Sequence, residues 1–205
     1  MKWIAPNACV FCGSRLREDD MPICSACRAD LPGAPKSLLL PERPLTFLIA
    51  PFLYEFPMDA AIKAWKFRRR LEYTPAFVAL LIEALADLPE RPDALLPVPL
   101  HWRRQALRGF NQAEELAAPL HRLLRVPVVT NVRRVRHTAS QSGLGASERQ
   151  KNLGTAFRVR GRVDARHVLI VDDVVTTGAT SSHLAKVVLR AGAEKVSLVA
   201  VARTQ

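Results

Sequence analysis

Two groups of residues in this chain have the types and spacing to do chemistry. The first lies in Val168 to Thr180, which reads VLIVDDVVTTGAT. Four apolar residues run into two adjacent aspartates, Asp172 and Asp173, and then into threonines around a glycine. A short, continuous apolar run of this kind predicts a strand buried on both faces. Carboxylates at the end of such a strand need groups to receive them. The turn behind them, Thr176, Thr177, Gly178, Ala179 and Thr180, feeds a helix read from Ser181 to Ala191 and ended by Gly192. A helix N-terminus offers unpaired N–H groups and the positive end of the helix dipole, which suit a phosphate. Gly178 lets the backbone approach that phosphate, and the threonines add hydroxyl donors. The acids stand as acceptors for a diol. The segment therefore offers both halves of a grip on a ribose phosphate. A nucleotide-hydrolysing strand also ends in acids, but the chain contains no GxxxxGK[ST]. Acids that merely cap a turn would leave TTGAT without a purpose.

The second group is the four cysteines: CVFC at Cys9 and Cys12, and CSAC at Cys24 and Cys27. Two CxxC pairs separated by eleven residues have the spacing of a zinc ribbon. Each two-residue gap lets two thiolates reach one tetrahedral ion, and the second pair completes the shell. Gly13 follows the first pair, where a knuckle turn benefits from a residue tolerant of positive φ. Two disulfides are the rival, disfavoured in a reducing compartment. Neither pair has the strand-to-helix context of a redox CxxC. A closed four-thiolate shell leaves no open position, so the expected Zn2+ is structural rather than catalytic.

The elements that must position these groups alternate. Leu31 to Pro57 is proline-rich and reads as a connector with one strand, Phe47 to Phe52. Asp59 to Arg70 reads as a short helix. Thr74 to Leu88 is a clearer one, with Phe77, Leu81, Leu85 and Leu88 on one face and Thr74 and Pro75 as N-cap and first helical residue. Ala94 to Val98 is a strand. Gln112 to Leu124 is helical, with Pro119 expected to kink it or displace its boundary. Val126 to Thr130 and Ala156 to Val159 are further strands. Arg133 to Asn152 is polar and basic and shows neither period. Val196 to Val201 closes the chain as a strand. Alternating strands and helices predict an α/β fold with a parallel sheet covered by helices on both faces. The expected division is a zinc-ribbon domain over residues 1–36 and an α/β domain over 37–205, with 37–57 as connector.

A chain of 205 residues is long enough for one well-buried core and a small appendage. The start, MKWIAPNACVFC, has no apolar region of the secretory type. No apolar run reaches the roughly 20 residues that a membrane span needs. A cytoplasmic protein is expected. The net charge of +11 favours an anionic partner: nucleic acid, a phosphorylated metabolite or an anionic membrane surface. Much of that charge is arginine in a chain also rich in alanine and proline, a bias that base composition of the gene also produces.

The segment Val168 to Thr180 resembles the phosphoribosyl pyrophosphate (PRPP) motif of type I phosphoribosyltransferases at every motif position. PVPLHWRRQALRGFNQ (Pro97 to Gln112), RHTASQSGLGASERQKNLGTAF (Arg136 to Phe157), AIKAWKFRRR (Ala61 to Arg70) and the cysteine pairs together resemble the ComF (competence protein F) family, over most of the chain and in the same order. The resemblance implies a type I phosphoribosyltransferase-like, Rossmann-like sheet with an N-terminal zinc ribbon. It implies that Asp172 and Asp173 contact the ribose 2′- and 3′-hydroxyls, with Mg2+ bridging ribose and pyrophosphate oxygens, and that Thr176 to Thr180 hold the 5′-phosphate. Pro99, Leu100, His101, Arg103 and Arg104 correspond to the pyrophosphate loop, whose guanidinium groups suit a pyrophosphate leaving group. Residues 133–152, with Arg136, Gln141, Arg149, Lys151 and Asn152, would form a flexible lid that excludes water from the reaction.

Other positions stay open. Arg108, Phe110 and Asn111 either fix the loop or touch ligand, and Trp102 either stacks on a base or is buried. No histidine shows a catalytic pairing. The chain ends at Gln205, directly after the last strand, so any hood over the site is expected from Leu45 to Glu72 or from the zinc ribbon. Two functions follow. One is Mg2+-dependent transfer of phosphoribosyl from PRPP to an unknown acceptor. The other is a non-catalytic component of DNA uptake in natural transformation that uses PRPP as a ligand and binds single-stranded DNA, a helicase or other competence proteins.

Overall fold

The computed structural model describes residues 8–17, 21–35, 37–39, 44–86, 88, 90–101, 106, 109–135 and 156–205. Within them the chain forms, in order, helix α1 (Ser25–Ala29) and strands β1 (Ser37–Leu39), β2 (Phe47–Ile49) and β3 (Phe52–Leu53). Helices α2 (Met58–Arg68) and α3 (Tyr73–Leu85), strand β4 (Ala94–Pro97) and helix α4 (Gln112–Leu124) follow. Strands β5 (Val132–Arg134), β6 (Phe157–Val159) and β7 (His167–Val175), helix α5 (Ala179–Arg190) and strand β8 (Lys195–Arg203) complete the described elements.

The main sheet runs β1-β2-β8-β7-β4, and β3 also pairs with β8. All pairings are parallel except that of β1 with β2. Central parallel strands have both faces covered, which is why the runs at Val168 to Val171 and Val196 to Val201 are continuously apolar. Alternation along the strands divides the core. Leu95, Leu169, Val171 and Val199 face Ile62 and Trp65 of α2, Phe77 and Leu81 of α3, and Leu116 and Leu120 of α4. Leu96, Val168, Ile170 and Leu198 face Leu184 and Val188 of α5 and Val132 and Phe157 of the β5–β6 ribbon. This is the expected α/β arrangement.

Several elements differ in detail. The apolar strand runs to Val175 rather than stopping at Val171, because β8 continues alongside it: Asp172 is opposite Ala200 and Val174 opposite Ala202. Both aspartates therefore lie within a strand, past the end of its pairing with β4. The single strand expected over Phe47 to Phe52 is two, split at Ala50–Pro51, where proline has no N–H to give to the ladder. Thr74 is not an N-cap. Helix α3 starts at Tyr73, and the buried Thr74 hydroxyl instead accepts a hydrogen bond from Trp65 Nε1 at 3.0 Å.

Helix α4 runs unbroken through Pro119, whose neighbours Leu116, Ala117 and Leu120 bury its apolar face. Val126 to Thr130 contributes one bridge, Val128 beside Leu95, rather than a strand. Arg133 and Arg134 belong to β5, paired antiparallel with β6, so the aperiodic region begins later than expected. Helix α5 starts at Ala179, two residues early, and ends before Gly192, whose φ of 120° fits the expected stop.

The cysteine-bearing segment docks on α3. Val10, Leu16, Ile23 and Leu31 share a buried cluster with Phe77 and Leu81. The Phe11 ring meets Tyr73 edge-on at 5.6 Å, and Arg28 pairs with Glu83. Among the described residues no helix is long and apolar enough to cross a membrane.

Candidate functional site

Strand β4 leads through α4 to Val128 on its outer side, whereas β7 leads through α5 to β8 on the opposite side. The chain thus diverges between two adjacent strands, β4 and β7. In open α/β sheets a ligand site lies beyond the carboxyl ends of strands at such a point. The last rung there is Val98 N–H to the Val171 carbonyl, 2.9 Å. Beyond it Pro99, Leu100 and His101 leave on one side and Asp172 to Thr180 on the other. The half-buried Pro99 and Leu100 and the buried His101 thus follow β4 beside the acid-bearing strand. Arg103, Arg104, Trp102 and Arg108 lie outside the described residues, as do His137, Arg136, Gln141, Arg149, Lys151 and Asn152.

Adjacent residues of a strand point to opposite faces. That alternation slips here: Val174 packs with the cluster of Val171, and Val175 with that of Ile170. Asp173 lies on the side of α2, where its Oδ1 accepts a hydrogen bond from Lys66 Nζ at 2.7 Å. The Asp172 Oδ1 accepts one from the Asp173 N–H at 2.8 Å. Burial and the neighbouring Asp173 charge push the Asp172 carboxyl up to about 7. That N–H, Lys66 and Arg134 oppose the rise.

After Val175 the strand gives way to the turn. Thr176 and Thr177 are exposed, and the Thr177 hydroxyl accepts from the Ala179 N–H at 3.4 Å. Gly178 has a φ of 69°, a left-handed conformation that favours glycine, and opens α5. The first-turn N–H groups of α5 therefore face the carboxyl end of the sheet, with the threonine hydroxyls around them.

Two contributors, Lys66 and Arg69, were not singled out for these roles by sequence. The buried stripe of α2 is Met58, Ala61, Ile62 and Trp65, and Lys66 continues it one turn beyond Ile62. A lysine at that spacing on an apolar face is the signal that was available. Arg69, with φ of 54°, lays its guanidinium against Gly109, where a Cβ would sit 3.0 Å from Nη2. Asn111 caps α4 and donates from Nδ2 to the Val98 carbonyl at 3.2 Å and to Glu114 Oε1 at 3.0 Å. Phe110 packs at 6.4 Å from Trp65. Asn111 and Phe110 therefore fix the loop between β4 and α4. His121 and His167 are engaged in the fold, with the Val126 carbonyl and the Ser197 hydroxyl, and His183 stacks on Phe157.

The four cysteine sulfurs lie within 4.8 Å of one another. Cys12 and Cys24 are 3.8 Å apart, beyond any disulfide and close to the ~3.8 Å edge of a tetrahedron with metal–sulfur bonds of about 2.3 Å. Ala8 pairs with Arg15 across the first knuckle, and Gly13 has a φ of 76°, as expected there. Hydrogen bonds from Ser14 lower the Cys12 thiol to about 6, and the Cys27 N–H lowers Cys24. Burial pushes Cys27 up. The donor set fits a structural Zn2+ held by Cys9, Cys12, Cys24 and Cys27.

A family model described as a phosphoribosyl transferase domain matches residues 107–205, which include β7, the turn and α5. DNA utilization protein YhgH of Shigella flexneri is 37% identical over 207 residues, covering 96% of this chain and 90% of that protein. Competence protein F of Haemophilus influenzae is 36% identical over 159 residues, covering 73% of this chain and 69% of that one. Among solved structures, a purine phosphoribosyltransferase from Pyrococcus horikoshii aligns with a TM-score of 0.40 and 19% identity, over 68% of this chain and 84% of that one.

Proposed function

Because this chain belongs to the family of competence protein F and DNA utilization protein YhgH and carries a phosphoribosyl transferase domain, we propose that it binds PRPP at the carboxyl ends of β4 and β7. The observation that carries the reading is the position of the segment Asp172 to Thr180. It combines two carboxylates with a glycine-opened helix N-terminus at the point where the chain diverges from adjacent parallel strands. The first-turn N–H groups of α5 and the hydroxyls of Thr176, Thr177 and Thr180 hold the 5′-phosphate. Asp172 and Asp173 accept from the ribose hydroxyls. Pro99 to Arg104 are assigned to the pyrophosphate, and the lid is assigned to the residues beyond β5, 136–152, which lie outside the described residues. Mg2+ bound with PRPP supplies positive charge to the pyrophosphate. Transfer of phosphoribosyl to a nitrogen acceptor is the reaction this arrangement suits, with pyrophosphate leaving the anomeric carbon as the acceptor bonds to it. Helix α2, which reaches the acids through Lys66, is the cover from the N-terminal half.

Calorimetry with PRPP and Mg2+ tests the binding. The wild-type chain should bind, and the Asp172→Asn, Asp173→Asn double variant should lose at least about tenfold in affinity, as loss of charge-assisted hydrogen bonds implies. Equal affinity of the two proteins refutes the ribose role. Release of pyrophosphate in a screen of nitrogen acceptors tests catalysis.

A second reading concerns DNA, as the relatives' names suggest. On the β5–β6 ribbon Arg133 is directly opposite Arg158, and both are exposed with Arg160 nearby. Like charges opposed on a strand pair are unfavourable unless a polyanion relieves them. In this reading a cytoplasmic protein of DNA uptake holds single-stranded DNA along the ribbon, with a helicase or other competence proteins as partners and PRPP as a ligand.

A further inference from the structure

We propose that Lys66 is a positioning residue for the acid pair, holding Asp173 so that both carboxylates serve one ligand, and that helix α2 thereby couples the two walls of the site. This rests on the PRPP reading above. The strand alone does not aim both carboxylates at one diol: consecutive residues of a regular strand face opposite ways, and here the alternation slips between Val171 and Val174. Here each is held by one oxygen. Asp172 Oδ1 takes the Asp173 N–H, and Asp173 Oδ1 takes Lys66 Nζ. Among the described residues no hydrogen bond takes the second oxygen of either, which leaves it for a ligand.

The pair is not a solvated surface contact. Both of its side chains are 14% exposed, against 47% for each partner of Lys195–Glu90. A shielded ion pair rarely stabilises a fold more than apolar residues of the same volume would. Lys66 occupies the stripe position one turn after the buried Ile62, where an apolar residue would serve packing as well. The lysine is therefore better explained by what it does to Asp173 than by stability. One turn-end later, Arg69 lies against Gly109, the far end of the loop that begins at Pro99. The last turn of α2 thus touches the acid-bearing strand with one residue and the opposite loop with another.

The test compares Lys66→Met and Lys66→Arg with the wild-type full chain by PRPP and Mg2+ calorimetry from pH 6 to 8. The Asp172 carboxyl is also titrated by 13C NMR in the ligand-free proteins. The charged groups facing Asp172 are Asp173 beside it, Lys66 from α2 and Arg134 from β5. Lys66→Met should weaken PRPP binding by about tenfold and move the Asp172 titration to higher pH, because a positive charge is lost. Lys66→Arg should retain most of both properties. In an Asp173→Asn background, Lys66→Met should cost little further affinity, since the residue acts through Asp173. Wild-type affinity in Lys66→Met with an unshifted Asp172 titration would overturn the inference, as would losses that add in full. If the wild type binds no PRPP, the reading of the site falls. The ligand-free titration then decides Lys66 alone: a shift in Lys66→Met supports the positioning role, and no shift refutes it. Should Lys66→Met melt far below the wild type, Lys66→Arg and the Asp173→Asn cycle carry the comparison.

Discussion

Asn111 ties the end of β4 to the start of α4: its Nδ2 donates to the Val98 carbonyl at 3.2 Å while its Oδ1 accepts from the Ala113 N–H at 3.1 Å. The end of β4 and the start of α4 meet at this one buried side chain. Asn111→Ala removes the cap and leaves a buried carbonyl without its donor, and should cost about 1 to 3 kcal/mol in denaturant unfolding. Asn111→Asp keeps the capping oxygen and turns an acceptor toward the carbonyl. It should also destabilise; an Asp variant as stable as the wild type would leave the cap alone responsible.

The raised carboxyl of Asp172 sets opposite signs for stability and binding. Its folded-state value of about 7 lies above the ordinary 3.8, so folding is favoured by the proton and that favour is lost as pH rises from about 4 through about 7. Asp172→Asn should therefore gain on the wild type across that window and be more stable above it, by roughly 1 to 3 kcal/mol. If Asp172 accepts from the ribose as proposed, PRPP binding needs the ionised form and should weaken in the wild type as pH falls below about 7. Melting curves of both proteins from pH 4 to 8, with calorimetry on the wild type, check the two signs.

The cysteine cluster should carry about one zinc per chain by metal analysis. Cys9→Ser or Cys24→Ser should lose the metal and lower the melting temperature. Their knuckles hold Val10, Phe11 and Ile23 against Tyr73 and Phe77 of α3. A zinc-free protein with an unchanged melting temperature would remove the structural role of the metal.

The opposed arginines of the ribbon make a separable prediction. Arg158→Glu faces Arg133 with an opposite charge and should stabilise the strand pair by about 0.2 to 1 kcal/mol. If the ribbon holds single-stranded DNA, the same change should reduce the slope of log affinity against log salt by about one or more. An unchanged slope would place DNA binding elsewhere on the chain or nowhere.

Much of the site was legible because it is local. VLIVDDVVTTGAT carries its own strand, its acids and its turn within 13 residues, and Gly178 stands where the turn opens the helix. The two CxxC pairs likewise bring their sulfurs together with short-range geometry alone. The elements that were misread depend on distant partners. The extent of β7 follows from the length of β8, and the role of Thr74 follows from Trp65 nine residues earlier on another helix. Pro119 stays inside a helix because its neighbours are buried, a tertiary effect that overrides local propensity.

The sequence by itself therefore determined an α/β chain, a four-cysteine cluster and a strand that carries two acids into a glycine-opened helix, since periodicity and short spacings are written along the backbone. Only the tertiary structure decided how the two aspartates are held. Lys66 of α2 bonds Asp173 and opposes the rise of the Asp172 carboxyl ahead of Arg134 of β5, so both acids depend on a helix far away along the chain. No spacing along the chain encodes that meeting, because Lys66 and Asp173 are 107 residues apart and are joined only once the sheet and its covering helices have packed.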